Sequence, residues 1–233
     1  MAEMQIKGLQ KLTLLDFPGQ TACTVFTGGC NFRCPYCHNA SLVISPTEIG
    51  NITEDEFFAY LRKRQGILDG VAITGGEPLL QADISEFIKK IRELGFRVKL
   101  DTNGSFPKKL KELVSEGLVD YVAMDIKNSP DRYSETVGSD KLGFDDVKES
   151  IEFLLTAPVD YEFRTTVVKE LHTEEDLKKI SECIAGAKRY YLQQFIDSGE
   201  LIENGWSAYS KAEMEKLKAV VEKQIPNVEL RGV

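Results

Sequence analysis

The sequence predicts an α/β fold, an open and partial (β/α)6 barrel of the TIM-like kind with an N-terminal hairpin extension. Two observations support this prediction. Strand-like and helix-like segments alternate along the chain, which is typical of parallel strands joined by right-handed helical crossovers. The alternation repeats roughly six times, too few for a closed barrel of about eight strands. We therefore expect a sheet that curves without closing.

The first predicted strand and helix have clear end signals. Thr21–Thr27 is rich in residues that favour strands and ends at a pair of glycines. The helix 53–65 begins with T-E-D-E, a capping box in which the Thr53 and Glu56 side chains each accept a hydrogen bond from the other's backbone N–H. Residues 1–20 are expected to form the extra hairpin, and we expect residues 1–233 to be a single domain.

The rest of the chain repeats the strand–helix pattern. Val71–Thr74 is a short buried strand that stops at G-G-E-P. Apolar residues at helical spacing follow until Gly95, which ends that helix; they are Leu80, Ile84, Phe87, Ile88, Ile91 and Leu94. Later strands are predicted at 96–100, 120–126, 161–168, 189–195 and 227–230, and later helices at 108–115, 145–155, 174–184 and 211–224.

Unusual motifs follow the first four predicted strands. C-N-F-R-C-P-Y-C-H-N follows the first strand, G-G-E-P the second, D-T-N-G the third and D-I-K the fourth. In parallel α/β folds the ligand lies at the carboxyl ends of the strands. Four loops at one edge of the sheet therefore predict one composite site.

Composition limits the class of protein. The 233-residue chain has a formal net charge of −8. A nucleic-acid or membrane-surface partner requires a basic face, so we expect neither, and no apolar run approaches the roughly 20 residues of a membrane helix. The N-terminus lacks the apolar segment of a secretion signal. Five cysteines, three of them close together, do not form a disulfide framework, so we expect a cytoplasmic protein whose cysteines have chemical roles.

The three clustered cysteines predict a metal centre with one open position. Cys30, Cys34 and Cys37 lie on one loop, and His38, adjacent to Cys37, is a poor fourth ligand. Three thiolates suit a catalytic zinc with a water ligand, or a [4Fe-4S] cluster with one iron that lacks a protein ligand. Soft thiolates alone favour the iron–sulfur cluster. The other two cysteines are interpreted as small buried apolar residues; they are Cys23 and Cys183.

These motifs resemble those of radical S-adenosylmethionine (SAM) enzymes. C-x3-C-x2-C, with an aromatic residue before the third cysteine, is similar to the cluster-binding motif of that superfamily, and G-G-E-P is similar to another of its signatures. F-T-G-G-C-N-F-R-C-P-Y-C-H-N, D-T-N-G and M-D-I-K together resemble the activating enzymes of glycyl radical proteins. G-L-Q-K-L-T-L-L-D-F-P-G and Y-L-Q-Q-F resemble the longer activating proteins of anaerobic ribonucleoside-triphosphate reductases.

The resemblance implies a fold, two cofactors and a reaction. The fold would be the partial barrel of the radical SAM type, with one [4Fe-4S] cluster on Cys30, Cys34 and Cys37 and with SAM on the fourth iron. The reduced cluster would cleave SAM to methionine and a 5′-deoxyadenosyl radical, which takes hydrogen from a glycine of the partner. The implied partners are the anaerobic ribonucleoside-triphosphate reductase and a one-electron donor such as flavodoxin or ferredoxin.

The resemblance also implies a set of SAM contacts and assigns no catalytic residue beyond the cluster and SAM. At two glycines, missing side chains would let backbone groups reach the ligand. An arginine within an otherwise apolar strand requires a partner or a polar cavity. The implied contacts are Tyr36, Asn39, Gly75, Gly76, Glu77, Asp101, Asn103, Lys127 and Arg164.

Asp101 and Asp125 end neighbouring predicted strands, and three interpretations of them stay open. They fit a general acid–base pair, a helix cap with a solvated turn residue, or two oxygen ligands of a cation. In the pyruvate formate-lyase activating enzyme, which the sequence resembles, the matching positions help to hold a monovalent cation against the SAM carboxylate. A monovalent cation is therefore a third expected cofactor.

Other functions share the core motifs. An activating enzyme of a pyruvate formate-lyase type of partner is one alternative, and a radical SAM enzyme that acts on a small molecule is another. A small electron-transfer or zinc-binding module does not fit the chain length or the three-ligand count. Two further residues are expected on the surface: His172 in a loop before a helix, and Trp206 in a loop that faces a partner.

Overall fold

The computed structural model describes residues 4–139 and 142–233. The strands are β1 (Ile6–Thr13), β2 (Ala22–Thr27), β3 (Gly70–Gly75), β4 (Arg97–Thr102), β5 (Tyr121–Asp125), β6 (Asp160–Val167), β7 (Tyr190–Gln194) and β8 (Val228–Arg231). The α-helices are α1 (Ala40–Ile44), α2 (Glu54–Arg62), α3 (Ile84–Glu93), α4 (Pro107–Ser115), α5 (Tyr133–Val137), α6 (Asp145–Thr156), α7 (Glu174–Cys183) and α8 (Lys211–Val221). Two 3₁₀ turns span Pro78–Leu80 and Pro130–Arg132.

The strands form one sheet in the order in which they follow one another along the chain. Strands β2 to β8 are parallel, and β1 pairs antiparallel with β2. The sheet is open, with β1 and β8 at its edges. The predicted α/β fold with an open parallel sheet is therefore confirmed.

Two local features differ from the sequence prediction. The N-terminal extension contributes one strand to the described structure, and the hairpin is completed by β2 rather than formed within residues 1–20. The helices α1 and α5 have only five residues each and were not predicted, because so few residues do not establish a helical period. By contrast, the capping box of α2 is present, with Thr53 and Glu56 in the expected roles.

The two faces of the parallel sheet bury different kinds of side chain. On β5, Val122 and Met124 pack into the large apolar core that also contains the helix residues. The alternate residues face the other way, and Tyr121 and Ala123 belong to a second, small cluster. Asp125 continues this second face to the end of the strand. The interior of the curved sheet is therefore partly polar.

The amino ends of the parallel strands are closed by Phe17, from the loop between β1 and β2. Phe17 is buried and contacts the ring of Tyr121, with ring centroids 6.2 Å apart. Behind it, Glu162 accepts hydrogen bonds from Tyr121 Oη (2.7 Å) and from both terminal nitrogens of Arg231 (2.7 and 3.0 Å). At this end of the sheet the buried charge of Glu162 is paired within the protein. The opposite end of the sheet is the one that contains the candidate site.

Within residues 4–139 and 142–233, no helix is both long and apolar enough to cross a membrane.

Candidate functional site

The three clustered cysteines lie on the loop between β2 and α1. Gly28 N donates to Gln5 O (3.1 Å) and Gly29 N to Leu42 O (2.8 Å), so hydrogen bonds to β1's flank and to α1 hold the start of the loop. Farther along, Arg33 N donates to Val137 O at the end of α5 (2.8 Å). The two short helices that the sequence did not reveal thus help to fix the loop.

Burial strongly disfavours the charged form of two of the thiols, those of Cys30 and Cys34, in the chain alone. It raises the pKa of Cys30 to about 11 and that of Cys34 to about 12. Cys30 Sγ accepts a hydrogen bond from Phe32 N (3.4 Å) and a long one from Asn103 Nδ2 (3.8 Å). Because metal ligation requires thiolates, binding of a metal centre here would release protons and would supply the compensating positive charge.

The two glycines of G-G-E-P pack against the backbone of the cysteine loop. A Cβ atom on Gly76 would lie 1.9 Å from Gly29 O, and one on Gly75, at φ +113°, would lie 2.4 Å from Thr27 N. Gly76 N also donates to Thr27 O (2.9 Å). Close contact between two backbones therefore requires both glycines, whether or not a ligand is bound.

Glu77 connects the end of β3, at G-G-E-P, with the end of β4, at D-T-N-G. It is 1% exposed, and its carboxylate accepts hydrogen bonds from Asn103 N (2.7 Å), Thr102 Oγ1 (2.9 Å) and Leu79 N (3.0 Å). Burial nevertheless raises the pKa of Glu77 to about 7. Of the predicted contact residues, Glu77 alone does not line the cavity described below, so its position suits holding Asn103 rather than touching a ligand.

Five charged side chains, alternating in sign, lie in the interior of the sheet toward the carboxyl ends of its strands. Lys99 Nζ contacts Asp101 Oδ1, and Arg164 Nη1 donates to Asp101 Oδ2 (3.2 Å). Arg164 Nε donates to Asp125 Oδ1 (2.8 Å), and Lys127 Nζ to Asp125 Oδ2 (3.1 Å). Burial alone would raise the pKa of each carboxyl group, but the neighbouring cations, Arg164 first, hold both pKa values below their usual range. Both aspartates are therefore ionised at neutral pH.

His172 is fully buried beside this cluster, so its prediction as a surface-loop residue was wrong. Its Nδ1 accepts from Val168 N (3.0 Å), which leaves Nε2 to donate to Lys127 O (2.8 Å). Tyr36, also buried, packs edge-on against the His172 ring and directs its hydroxyl toward Lys127 O (3.5 Å). A residue just before a capped helix is expected to be exposed to solvent. His172 instead points into the protein and fixes the D-I-K loop.

Trp206 is partly buried against the main core, and its Nε1 is a buried donor that has no hydrogen-bond partner among residues 4–139 and 142–233. Cys23 is buried in β2 as predicted, and Cys183 is half-buried.

One cavity of about 230 Å³, partly open to solvent, lies at the carboxyl ends of the strands. All of the predicted site residues except Glu77 line it, including Asn39, whose Nδ2 donates to Gly75 O (3.0 Å). Thr166 and Gln193 also line it and were not predicted. Strand alternation could have found Thr166, which is two residues after Arg164 on β6. Gln193 is the residue before the end of β7 and belongs to the segment Y-L-Q-Q-F.

The donor set fits an iron–sulfur cluster better than a closed zinc site. The three cysteine thiols line the same cavity, and soft thiolates favour an iron–sulfur cluster. His38 of the same loop also lines the cavity, but its Nε2 is hydrogen-bonded to Ile196 O (2.6 Å). In a cluster each thiolate binds a different iron, so the thiols need to surround a volume rather than meet at one point. Among the described residues, no group of three His, Cys, Asp or Glu side chains is arranged to hold a single metal ion.

The sequence profile of the Radical SAM superfamily matches residues 24–184, well over half of the chain. A relative from Methanocaldococcus jannaschii, named "Putative glycyl-radical enzyme activating enzyme", is 32% identical over 98% of this chain and 96% of its own length. The pyruvate formate-lyase-activating enzyme of Clostridium pasteurianum is 29% identical over 77% of this chain and 76% of its own length.

A solved structure with the same fold is that of Streptococcus suis SuiB bound to S-adenosylmethionine. It aligns with a TM-score of 0.69 over 88% of this chain at 17% identity, and the aligned part is 48% of the SuiB chain. This chain therefore spans about half of that neighbour, and the likeness concerns the fold.

Proposed function

The chain belongs to the radical SAM superfamily, and we propose that it is an activating enzyme that forms a glycyl radical on an anaerobic ribonucleoside-triphosphate reductase. The main support is that a relative named as a glycyl-radical enzyme activating enzyme matches almost the full length of both chains. The family implies a [4Fe-4S] cluster and SAM, and a cavity lined by three thiols and by polar side chains suits both.

The choice of reductase rests on two sequence segments. The N-terminal segment G-L-Q-K-L-T-L-L-D-F-P-G forms most of β1 and the loop that carries Phe17. The segment Y-L-Q-Q-F forms most of β7 and the residue after it. Both segments are thus built into the sheet that carries the site. Their resemblance to the longer reductase activators favours this partner over a formate-lyase type of partner.

When bound, the cluster and SAM supply a one-electron cleavage of the sulfonium that yields methionine and a deoxyadenosyl radical able to abstract hydrogen. Cys30, Cys34 and Cys37 would hold the cluster. Asn39, Asn103 and the backbone of Gly75 and Gly76 offer neutral polar groups at the cavity wall. Four further lining residues offer charged groups; they are Asp101, Asp125, Lys127 and Arg164.

The chain's own contribution is to keep these groups in place. The Glu77 carboxylate fixes the backbone of Asn103, and His172 fixes the backbone of Lys127. Rigid positioning of a reactive ligand accounts for a large part of catalysis when the hard chemistry belongs to the cofactors. An α-hydrogen of glycine is a suitable target, because the resulting radical is stabilised between the amide nitrogen and the carbonyl group.

The remaining parts of the proposal concern the setting. A one-electron donor such as flavodoxin or ferredoxin would reduce the cluster, and the cytoplasm is the expected location because free thiols and an iron–sulfur cluster need a reducing compartment. The monovalent cation that the sequence predicts beside Asp101 and Asp125 is not part of this proposal, because cationic side chains already contact both carboxylates.

The decisive experiment combines the anaerobically reconstituted protein, SAM, a strong reductant and the cognate reductase. Electron paramagnetic resonance should show a doublet from the remaining α-hydrogen of the target glycine. The doublet should be absent when that glycine is replaced by alanine, and when Cys34→Ala replaces the parent activator.

The negative outcomes separate the alternatives. A doublet on a formate-lyase type of partner, with none on the reductase, would assign the chain to the other class of activating enzyme. Cleavage of SAM that is accelerated by a small molecule and by neither protein would assign it to the small-molecule enzymes.

A further inference from the structure

Lys99 is a buried lysine in the interior of the sheet for which the SAM and cluster contacts leave no role. It lies on β4, two residues before Asp101, and its side chain is 3% exposed. Its Nζ contacts Asp101 Oδ1, whereas the cavity wall at this place is formed by Asp101 itself. Lys99 therefore reaches Asp101 from behind, out of contact with anything bound in the cavity.

A buried ammonium group requires a compensating charge, and Asp101 is the partner that the structure provides. Each of the four carboxylate oxygens of Asp101 and Asp125 contacts a cationic side chain. Arg164 lies between the two carboxylates, and Lys99 and Lys127 lie at the outer ends. The three cations and two anions leave the cluster with a net charge of +1, without any ion from solvent.

We propose that Lys99 is the built-in counterion of Asp101, and that its ammonium group replaces the monovalent cation that two adjacent carboxylates in this site would otherwise bind. An ammonium group is a compact charge of +1 with three donors, and its electrostatic effect on a carboxylate at the same distance equals that of a bound monovalent ion. Because Lys99 is covalently attached, this charge is present at every salt composition. Lys99 acts through Asp101 and is a positioning residue.

The inference rests on SAM binding, which is part of the proposed function, and does not depend on the identity of the partner protein. It predicts that SAM binds the cluster-loaded parent protein with the same affinity in sodium, potassium and tetramethylammonium chloride at one ionic strength. Lys99→Met removes the charge and vacates its space. We expect Lys99→Met to bind SAM about tenfold more weakly in tetramethylammonium, with most of the loss recovered in sodium or potassium.

The measurement is equilibrium binding of labelled SAM, without turnover, to protein of known iron content. Lys99→Arg retains a positive charge and should keep the parent's indifference to the salt. Lys111→Met is the matched control, because Lys111 also pairs with a carboxylate, Glu149, but on the surface. It should bind SAM like the parent in all three salts.

Several results would overturn the proposal. A parent protein that needs sodium or potassium would show that a solvent cation binds despite Lys99, and this arm decides even if Lys99→Met fails to fold. Lys99→Met that binds SAM like the parent in every salt would show that the charge is dispensable, and an equal loss in every salt would make its role one of packing. Absence of SAM binding by the parent would instead remove the proposed function itself.

Discussion

The two ends of the sheet interior both contain buried charge, yet they differ in what that charge faces. At the amino ends of the strands, Glu162 accepts hydrogen bonds from Tyr121 and Arg231, and Phe17 packs against the Tyr121 ring. At the carboxyl ends, Asp101 and Asp125 are paired as completely, but they line a cavity that also contains the three thiols. Buried ion pairs therefore do not by themselves identify a functional site.

The closed and the open end of the sheet interior are separated by only two residues along β6. Glu162 and Arg164 are two residues apart on β6 and project to the same side of the sheet, since side chains alternate along a strand. Arg164 lines the cavity and Glu162 does not. The closed end stabilises the fold, and the open end presents charge to a ligand. Matched pairs of variants, at and away from the groups that form the cavity, test this division.

The largest expected effect comes from the thiols. Cys34 and Cys23 are both buried, and burial raises the pKa of each to about 12, but only Cys34 lines the cavity. Cys34→Ala should reduce the iron content from about four to below about one per chain after anaerobic reconstitution, because a cluster on two thiolates is not retained. Cys23→Ala should keep the parent's iron and sulfide content.

Iron and sulfide analysis with the visible absorption spectrum measures both variants. Stoichiometric zinc without sulfide in the parent, or equal iron loss from Cys23→Ala, would contradict the assignment of the thiols.

The second effect concerns the backbone contact between G-G-E-P and the cysteine loop. Gly76→Ala would place a methyl group on Gly29 O, so the loop has to shift, at a cost of about 1–3 kcal/mol in unfolding free energy. Because Gly29 precedes Cys30, we expect both SAM binding and cluster retention to fall. Gly50→Ala is the control, since a Cβ there meets nothing within 4 Å.

Thermal unfolding, iron content and SAM binding are the measurements for this pair of variants. Normal iron content in Gly76→Ala, with only SAM binding reduced, would show that this glycine acts on the ligand and not on the loop.

These two cases show how far the sequence could go. The cysteine spacing, G-G-E-P and the strand ends were predictable because the residues that form them are close together in the chain, and the cavity brings the predicted residues to one place. The reason for Gly76 was not predictable, because the atom that excludes a side chain belongs to Gly29, 47 positions earlier. Contacts of this kind depend on the tertiary fold and leave no local pattern.

His172 and Lys99 were missed for a related reason. A histidine next to a helix start and a lysine in R-V-K-L-D-T are both typical of exposed positions. Only the fold supplies the buried partners, Lys127 O for the histidine and the Asp101 carboxylate for the lysine. The strand itself was predicted, but the interior of an open sheet accepts charge where a uniform apolar core would not.

The third prediction compares the arginines at the two ends. Arg231→Met leaves the Glu162 carboxylate buried with Tyr121 as its remaining partner, so the free energy of unfolding should fall by about 3 kcal/mol. SAM affinity, measured on folded protein, should stay within about twofold of the parent because Arg231 lies outside the cavity.

Arg164→Met, in contrast to Arg231→Met, should weaken SAM binding by about tenfold or more, since a charged group is lost from the cavity wall. Chemical denaturation and equilibrium SAM binding on both variants check the pair. If Arg231→Met weakened SAM binding as much as Arg164→Met, the two ends would form one coupled network and the division between them would fail.

The smallest expected effect is a pH dependence from His172. Burial lowers the pKa of His172 below its ordinary value of about 6.5, since the charged ring would lose its solvation. The unfolded chain therefore binds a proton at a pH where the folded chain does not, and His172 costs stability as the pH falls below about 6.5. Relative to His172→Gln, the parent should lose up to about 1.4 kcal/mol of unfolding free energy per pH unit in this range.

The difference between the two proteins matters more than either curve, because the buried Glu77, with its pKa raised to about 7, titrates in the same range in both. Urea denaturation of both proteins between about pH 5 and 8 measures this difference. Parallel curves for the parent and His172→Gln would mean that His172 takes up a proton in the folded protein as readily as in the unfolded chain.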